Sequence, residues 1–598
     1  MTFPASTAAR FVRLLPAALV PLLAACATLG TPGTAAPVTV GIVAINDFHG
    51  ALESPHQSVP APDGKGGTVR VPAGGSAYLA SAIDSVRAKY PYHLTVSAGD
   101  LISASQLASS IYLDEPTVGV ANRFGLDFNA VGNHEFDRGR YELLRMQRGG
   151  CEKLTARQPC QVEQFGGAKF QFLSASTRTE NGDTLFPAYA IRTFGKGRKA
   201  VRIGIIGLTL KGTSDLVTPG GIKGLTFEDE AQSINGLVPV LKAKGADAIV
   251  VLIHQGGAQD NPNDPSGCSG FTGDIRPILD ALDTRVDLVV SGHTHKSYVC
   301  NYGELNPERP ILLTSAGVYG EEVTDITLMI DPAAHKVVSK KAVNVIVQSG
   351  SYTGALGPVN PTKIYPQFTP RADVASYVQT YVDASKTFAQ KPAGHLAGPA
   401  SGKVLGQLIA DSQLAATRGA GAQIAFMNPF GVRTGLVPGE GGQVKFGDLY
   451  AVQPFGNTLV TQTMTGAEIK AVLEQGFDAN GPNQALAPSA GLTYRYDLSR
   501  PMGDRVLDLM LDGKPLDPAA SYRVTTNNFL AQGGDSFSLL AKQRDAVTGG
   551  VDLDAMEAWL EAVPLRAVPS EDRAVEVKHY PFLGGQGMKP EVRATYSA

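Results

Sequence analysis

The chain has 598 residues, which exceeds what one hydrophobic core usually supports, so its length alone predicts at least two domains. Hydrophobic residues make up 43% of it and charged residues 18%, proportions that are ordinary for a globular protein and argue against wholesale disorder. The formal net charge of -3 offers no electrostatic basis for binding nucleic acid, so no nucleic-acid partner is expected.

The first 25 residues have the pattern of a secretory signal. Arg10 and Arg13 precede a mostly apolar stretch that ends at Leu23-Ala24-Ala25-Cys26 and is too short for a comfortable transmembrane helix. Leu-Ala-Ala-Cys also resembles the lipobox of bacterial lipoproteins, in which the cysteine carries the lipid; an ordinary signal peptide is the alternative. We therefore expect a signal peptide at 1–25, a lipid-anchored Cys26, a flexible tether at 26–37 and a location in the bacterial cell envelope, at the outer membrane or the periplasmic face.

Short apolar runs alternate with helix-compatible stretches between Val38 and about Val347. This alternation predicts a layered α/β domain over 38–347. The helix-compatible stretches are Ser76 to Tyr90, Pro116 to Gly125 and Phe227 to Lys244.

Five clusters of polar residues in this region each begin where an apolar run stops. In an open α/β sheet, groups just beyond the carboxyl ends of strands converge on one crevice. Two Asp, four His and one Asn form a ligand set that suits Zn, Mn or Fe better than calcium. The seven residues are Asp47, His49, Asp100, Asn133, His254, His293 and His295.

The region after the first domain predicts a linker and a second domain. Residues 349–370 are rich in Gly, Pro, Ser and Thr and predict a crossing loop, whereas Arg371 to Lys391 has a near-helical apolar period and predicts a connecting helix, so the linker covers 348–394. A second domain of α/β or α+β class is predicted over 395–598. Its clearest elements are a helix at Leu405 to Thr417 and strands at Gln423 to Met427, Leu459 to Met464 and Tyr522 to Thr526.

Four cysteines follow Cys26, and an even number in an exported chain predicts two disulfides with three possible connectivities. We favour Cys151 with Cys160 and Cys268 with Cys300, because each pair lies within one local segment. A zinc site on these thiols is the alternative, although their spacings fit none of the usual patterns.

Longer strings surround the polar clusters and continue into the second half of the chain. They are Asn46 to Gly50, Gly132 to Asp137, Asp448 to Tyr450, Pro454 to Asn457 and Asn528 to Asp535. In their order these motifs resemble the calcineurin-like metallophosphoesterases and, more specifically, the bacterial and animal 5'-nucleotidase family, which includes the periplasmic UDP-sugar hydrolases. The resemblance spans almost the whole mature chain.

The resemblance implies two divalent metal ions, of Zn, Mn or a similar element. One would be held by Asp47, His49, Asp100 and His295. The other would be held by Asp100, Asn133, His254 and His293, with Asp100 bridging the pair because two close cations repel each other. The implied reaction is in-line attack of a metal-activated water on phosphorus. Some family members carry an amide where this chain has His295.

The resemblance also assigns the residues around the substrate. His134 and Asp137 would form the catalytic dyad, in which the carboxylate orients the imidazole. Phe455 and Phe529 would sandwich the nucleobase, although buried core rings are the commoner role for Phe. Asp535 would accept hydrogen bonds from ribose hydroxyls, and Asn428 and Arg433 would contact base and sugar-phosphate.

Two segments depart from the family pattern. Pro429-Phe430 places bulk beside the base pocket, and Ser401-Gly402-Lys403 stands where an arginine is common. The expected function is hydrolysis of extracytoplasmic 5'-nucleotides to nucleoside and phosphate. The alternatives are a UDP-sugar hydrolase, a 2',3'-cyclic-nucleotide phosphodiesterase and a surface nucleotide-binding protein without catalysis; Asp137 favours the monoesterase over the cyclic phosphodiesterase. Base preference and oligomeric state are not predicted.

Overall fold

The structure is a computed structural model that describes residues 36–577 except 156, 218, 355–356 and 479–482. The predicted signal peptide at 1–25, the predicted lipid anchor Cys26 and most of the predicted tether lie outside the described residues, as does the end of the predicted second domain. Across the described ranges, no helix combines the length and the apolar character that crossing a membrane requires.

Two six-stranded sheets form the first half of the molecule. In spatial order, the first sheet consists of Lys336–Ile346, Glu322–Asp331, Val38–Ile45, His93–Ser97, Phe128–Ala130 and Gln171–Leu173. The second consists of Ser297–Asn301, Leu312–Ala316, Leu288–Ser291, Ala248–Ile253, Val201–Leu208 and Tyr189–Phe194. The central strands of both sheets run parallel, so their carboxyl ends share an edge.

The two sheets pack face to face, because one hydrophobic cluster draws its buried side chains from both. Val40 and Val96 of the first sheet and Ile203 and Val250 of the second belong to it. Parallel strands that are covered on both faces consist of continuous apolar residues. The segment 248–253, Ala-Ile-Val-Val-Leu-Ile, accordingly contains no polar residue.

Helices cover the outer faces of both sheets. Leu79, Ile83 and Phe124 pack on the first sheet, and Ile234 and Leu279 pack on the second. This arrangement confirms the predicted layered α/β class. The α-helices of this half are Ser76–Arg87, Leu107–Ser110, Glu115–Phe124, Arg140–Arg148, Thr213–Leu216, Glu230–Ala243 and Ile275–Ala281, and the small two-stranded sheets pair Gln57–Pro62 with Thr68–Ala73 and Thr177–Arg178 with Thr226–Phe227.

A single helix, Ala372–Ala389, connects the two halves, as the apolar period of this segment predicts. The stretch before it differs from the prediction, because it contains the short strands Tyr352–Gly354 and Gly357–Val359 where only a loop was expected. Strands of three residues are too short for an alternating pattern to be recognised in a Gly-rich sequence.

The second half is built on a five-stranded and a four-stranded sheet. The five strands, in spatial order, are Ala487–Pro488, Ile424–Met427, Ser521–Asn527, Thr458–Thr465 and Val547–Val551. The four are Lys514–Pro515, Val506–Leu511, Leu492–Tyr496 and Ala574–Glu576, and a separate pair joins Pro392–His395 to Gln443–Lys445. The α-helices are Gly402–Thr417, Phe446–Val452, Gly466–Gln475, Asn528–Ala531 and Asp552–Glu561.

Two disulfides join the four cysteines of the described region. Cys151 is bonded to Cys160, and Cys268 is bonded to Cys300. The favoured connectivity is therefore confirmed, and the alternative of a zinc site on these thiols is wrong, because each sulfur is consumed by a disulfide.

Candidate metal centre and active site

All seven predicted ligands lie at one edge of the first half, in the loops that follow the parallel strands. Asp47 and His49 follow Val38–Ile45, Asp100 follows His93–Ser97, and His254 follows Ala248–Ile253. Five of the seven have a positive φ, a backbone region that costs energy for any residue except glycine. They are Asp47 at 47°, His49 at 45°, Asp100 at 50°, His293 at 69° and His295 at 56°.

Asp47, His49 and His295 form the first group of donors. Their ligand atoms lie within 4.8 Å of one another. His49 Nε2 is 3.2 Å from His295 Nε2, and His295 Nε2 is 3.5 Å from Asp47 Oδ1. His49 Nδ1 lies 2.9 Å from the Ser103 carbonyl oxygen, a bond that places the ring proton on Nδ1 and leaves the Nε2 lone pair facing the group.

Asp100, His254 and His293 form the second group, which also meets the 4.8 Å limit. His254 Nε2 lies 3.0 Å from Asp100 Oδ2, while His254 Nδ1 lies 2.9 Å from the Ala98 carbonyl oxygen. Asn133 Oδ1 lies 3.0 Å from His254 Nε2 and 3.1 Å from His293 Nδ1. The predicted amide ligand is therefore in place beside the two imidazoles.

Asp100 lies between the two groups, as the predicted bridging role requires. Its Oδ2 is 3.0 Å from His254 Nε2 and 3.7 Å from His49 Nε2. The carboxylate is 1% exposed, so solvent cannot compensate its charge. A buried carboxylate that faces two sets of imidazole lone pairs suits a position shared by two cations.

The electrostatics of the cluster fit divalent cations. Burial raises the pKa of Asp47 to about 7, and burial together with the neighbouring His254 lowers the pKa of His293 to about 3. Burial also holds the pKa of His295 well below its usual range. Burial acts to lower the pKa of His254, but Asp100 and Asp47 outweigh it and raise that pKa to about 10, so a cation that binds here would displace protons from the cluster. The mixed imidazole, carboxylate and amide donors suit Zn, Mn or a similar cation, and the set lacks the all-oxygen character typical of calcium sites.

Glu135 supports the ligand loops from behind. Its carboxylate accepts hydrogen bonds from the backbone N–H groups of Asp100 at 2.9 Å, Leu101 at 2.8 Å and Gly132 at 2.6 Å. Burial raises its pKa to about 7. Sequence reasoning assigned no role to Glu135, although its place beside Asn133 and His134 was the signal that could have revealed one.

Close packing at the centre requires glycine at two positions. A Cβ on Gly132 would lie 2.2 Å from Asp100 Oδ1, and one on Gly99 would lie 2.7 Å from His254 Nδ1. Gly99 also has a φ of 92°, which other residues rarely adopt. Both glycines therefore let the ligand loops approach each other.

The two residues of the predicted dyad are in contact. His134 Nδ1 lies 2.9 Å from Asp137 Oδ2, and the His134 backbone N–H donates to Asp100 Oδ1 at 2.9 Å. Burial acts to lower the pKa of His134, but Asp137 and Asp100 outweigh it and the pKa is raised above its usual value. The imidazole therefore favours its charged form beside the ligand cluster.

The residues predicted to contact the substrate come from the second half. The Phe455 ring stacks on His134, with centroids 6.0 Å apart, and the Arg433 guanidinium carbon lies 5.9 Å from the Phe455 centroid. Asn428 Nδ2 donates to Asp535 Oδ2 at 2.7 Å. Burial raises the pKa of Asp535 to about 6. Phe455 and Arg433 therefore lie beside His134, and Asn428 and Asp535 contact each other.

Phe529 occupies a different position from Phe455. Its ring is only partly buried and packs against the next loop, where a Cβ on Gly534 would lie 2.5 Å from its Cε2. Phe529 makes no direct ring contact with His134 or Phe455 among the described residues. Two rings that receive a base between them are held apart by its thickness, so the two-ring sandwich stays a prediction.

The two departures from the family pattern have different surroundings. Phe430 lies on the turn Pro429–Gly431, adjoining Asn428, and is 47% exposed. Lys403 instead points to the last described strand, where its Nζ donates to the Ala574 carbonyl at 3.0 Å and lies 3.6 Å from Asp572 Oδ2. Lys403 therefore does not replace an arginine at the site.

Two known families match the chain. Residues 41–297 match the calcineurin-like phosphoesterases, and residues 387–542 match the 5'-nucleotidase C-terminal domain. The first match covers all of the predicted metal ligands, from Asp47 to His295, together with the dyad. The second covers Asn428, Arg433, Phe455, Phe529 and Asp535.

Individual relatives align with most of the chain. The endonuclease YhcR of Bacillus subtilis is 30% identical over 538 residues, which are 88% of this chain and 40% of YhcR, so the chain spans less than half of that relative. A probable 5'-nucleotidase of Treponema pallidum is 24% identical over 84% of this chain and 87% of its own length.

A solved structure shows the same fold over the whole molecule. The 5'-nucleotidase precursor of Thermus thermophilus superposes with a TM-score of 0.69 at 26% identity, covering 91% of this chain and 100% of that one. The order of the two matched regions, the ligand cluster and this superposition agree. The chain belongs to the metallophosphoesterase family that joins a calcineurin-like phosphoesterase domain to a 5'-nucleotidase C-terminal domain.

Proposed function

We propose that the protein hydrolyses 5'-nucleotides to nucleoside and phosphate with the help of two divalent cations. The stacking of Phe455 on His134 is the observation that carries this proposal. It brings an aromatic ring of the second half beside the acid–base group of the first. A generic phosphatase has no use for an aromatic platform at that place, whereas a nucleotide offers a base to stack on it.

The cation sites are those described above, with Asp100 shared between them. The first comprises Asp47, His49, Asp100 and His295, and the second comprises Asp100, Asn133, His254 and His293. When bound, two such cations would stabilise negative charge on the phosphoryl oxygens and help to generate the nucleophile from water. Zn and Mn both suit these donors.

His134 is the group that handles the proton of the leaving alkoxide. Asp137 holds its Nδ1 and favours the charged ring, so the other ring nitrogen is left to donate. The charged imidazole also stabilises the negative charge that develops as the ester bond breaks.

Substrate selection falls to the second half. Phe455 offers a face for the base, and Phe529 is the candidate second wall once a nucleotide is bound. Asp535, oriented by Asn428, is suited to accept from ribose hydroxyls, and Arg433 supplies positive charge toward the phosphate. The exposed Phe430 adds apolar surface beside this site.

We further propose that the protein acts outside the cytoplasm on a lipid anchor at Cys26. Two disulfides within the described residues support an oxidising compartment. Membrane fractionation of the wild type and Cys26→Ser tests the anchor, because loss of the acyl chains should release the variant. Wild-type protein in the soluble fraction without detergent would contradict it.

A steady-state comparison of AMP, UMP, UDP-glucose and 2',3'-cyclic AMP with added Mn²⁺ or Zn²⁺ tests the function. We expect the nucleoside monophosphates to be the best substrates. Preferred turnover of UDP-glucose or of the cyclic ester would replace the proposal by the corresponding hydrolase or phosphodiesterase. Tight binding of all four without turnover would indicate a nucleotide-binding protein.

A further inference from the structure

A chain of polar contacts crosses from the second half of the molecule to the metal-ligand loops, and no step proposed above uses it. It begins at Tyr450, on the helix Phe446–Val452, and ends at His49. Every member is buried except Arg138, whose side chain is 20% exposed. The members are Tyr450, Ser110, Arg138, Asp114, Ser103 and His49.

Tyr450 is the first member of this chain of contacts and lies in the second half of the molecule. Its hydroxyl lies 2.9 Å from the Pro454 carbonyl oxygen and also contacts Ser110 Oγ, which belongs to the first half. The two hydroxyls carry one proton each, so both contacts are satisfied when Ser110 donates to Tyr450 and Tyr450 donates to Pro454. Pro454 directly precedes Phe455, the ring that stacks on His134.

Arg138 carries the contact onward inside the first half. Its Nη2 donates to Ser110 Oγ at 2.8 Å, and its Nη1 donates to Ser103 Oγ at 3.1 Å. The same guanidinium pairs with the fully buried Asp114. Arg138 also directly follows Asp137 of the dyad, so its position bears on the segment that carries His134.

Ser103 links this chain of contacts to His49, the predicted metal ligand at its end. Its backbone N–H donates to Asp114 Oδ2 at 3.1 Å, and its carbonyl oxygen lies 2.9 Å from His49 Nδ1. That last bond sets both the tautomer and the ring orientation of His49. Ser103 has a φ of 66°, which is unfavourable for serine and is maintained by the contacts around it.

We propose that Tyr450 is a positioning residue that couples the base-reading segment Pro454–Phe455 to the orientation of the metal-binding His49. A nucleoside that stacks on Phe455 would order this segment, and the Tyr450–Ser110–Arg138 chain would transmit that order to the ligand loop. Because coupling between two sites is reciprocal, nucleoside binding and metal binding strengthen each other. The inference rests on the proposed function, since it requires a nucleoside at Phe455.

The test measures Mn²⁺ affinity rather than activity. Full-length protein is stripped with chelator and titrated with Mn²⁺, with free Mn²⁺ followed by electron paramagnetic resonance, in the absence and presence of saturating adenosine. Adenosine lacks the phosphate that would contact the metals directly. We expect adenosine to tighten Mn²⁺ binding about fivefold or more in the wild type, the lower end of ordinary coupling.

Tyr450→Phe removes only the hydroxyl and keeps the ring that packs at the junction between the halves. We expect adenosine to leave the Mn²⁺ affinity of this variant nearly unchanged, so that the ratio of the affinities with and without adenosine is close to one. Tyr112→Phe is the matched control, because Tyr112 is buried in the same hydrophobic cluster and its hydroxyl is outside the chain of contacts. The control should keep the wild-type ratio.

Ser110→Ala breaks the same chain from the other side and should also abolish the adenosine effect, so the result does not depend on one variant folding well. Full wild-type coupling in both Tyr450→Phe and Ser110→Ala would overturn the relay. A wild-type Mn²⁺ affinity that adenosine does not change would also overturn the relay. A separate adenosine isotherm then distinguishes the two failures: adenosine that binds without coupling contradicts the relay alone, and absence of adenosine binding contradicts the proposed function too.

Discussion

The Phe455 ring lies nearly parallel to the His134 imidazole, with 17° between the two planes and 6.0 Å between their centroids. Phe455 belongs to the half that matches the 5'-nucleotidase C-terminal domain, and His134 belongs to the half that contains the predicted metal ligands. An aromatic face beside an imidazolium favours the charged ring. Phe455 is therefore suited to act on both the base and the acid–base group.

Truncation of the aromatic residues separates base recognition from phosphate chemistry. Phe455→Ala and Phe529→Ala should each cost about 1–3 kcal/mol of nucleotide binding, the usual scale of stacking on a base. This corresponds to roughly a 5- to 150-fold loss in kcat/KM for AMP. Loss for p-nitrophenyl phosphate, which has no base, should be smaller. Equal losses for the two substrates would mean that the rings only hold the halves together.

Removal of the dyad imidazole should impair substrates with poor leaving groups most. We expect His134→Ala to lower kcat for AMP by about 10²–10⁴-fold, the usual contribution of general acid–base catalysis. p-Nitrophenyl phosphate, whose leaving group needs little protonation, should lose less. His335→Ala is a suitable control because His335 pairs with Asp247 at 2.6 Å, in a His–Asp pair that includes none of the predicted ligands. Similar losses in the two variants would contradict the dyad.

Substitution of Glu135 should weaken metal binding, although Glu135 is not itself a predicted metal ligand. Glu135→Gln replaces an acceptor of four backbone N–H groups by an amide that satisfies them less well, so the loops of Asp100 and Asn133 should loosen. We expect Mn²⁺ affinity to fall by about 10–100-fold, as for other outer supports of metal ligands. The exposed Glu152→Gln is the matched control. Unchanged affinity in Glu135→Gln would show that the loops are held by other contacts.

Nucleotide binding should depend on pH through Asp535, the carboxylate proposed to accept hydrogen bonds from the ribose. Burial raises the pKa of Asp535 to about 6, so its carboxylate is ionised above that pH and protonated below it. The KM for AMP should therefore rise as the pH falls through about 6, because a protonated carboxyl is a weaker acceptor for ribose hydroxyls. The KM for p-nitrophenyl phosphate should not follow the same curve. If Asp535→Asn retains the wild-type pH profile for AMP, another group is responsible.

Much of the fold follows from local sequence signals. The strands Val38–Ile45, His93–Ser97 and Ala248–Ile253 lie where their apolar runs predict, since a strand buried on both faces leaves few polar residues to obscure its ends. The helix Ala372–Ala389 falls within the predicted Arg371 to Lys391. The small strands Tyr352–Gly354 and Gly357–Val359 were missed because three residues are too few to show an alternating pattern.

The convergence of the predicted ligands could be inferred from residue order because parallel strands place their carboxyl ends at one edge. The packing of the two halves against each other could not be predicted from the sequence. Nothing in the spacing of Pro454 to Asn457 indicates that Phe455 meets His134 or that Tyr450 meets Ser110, because these contacts depend on how the two halves pack against each other. Glu135 illustrates a different limit, since its carboxylate binds mainly backbone N–H groups and its position beside Asn133 and His134 is the one sequence signal of its role.

The most direct test of the central claim is AMP hydrolysis by metal-stripped protein titrated with Mn²⁺ or Zn²⁺. Phosphate release should be absent after chelation and return as the two sites fill, and Asp100→Asn should be the most damaging ligand change because that carboxylate faces both groups of donors. Full phosphate release by extensively chelated, metal-free protein would contradict the account.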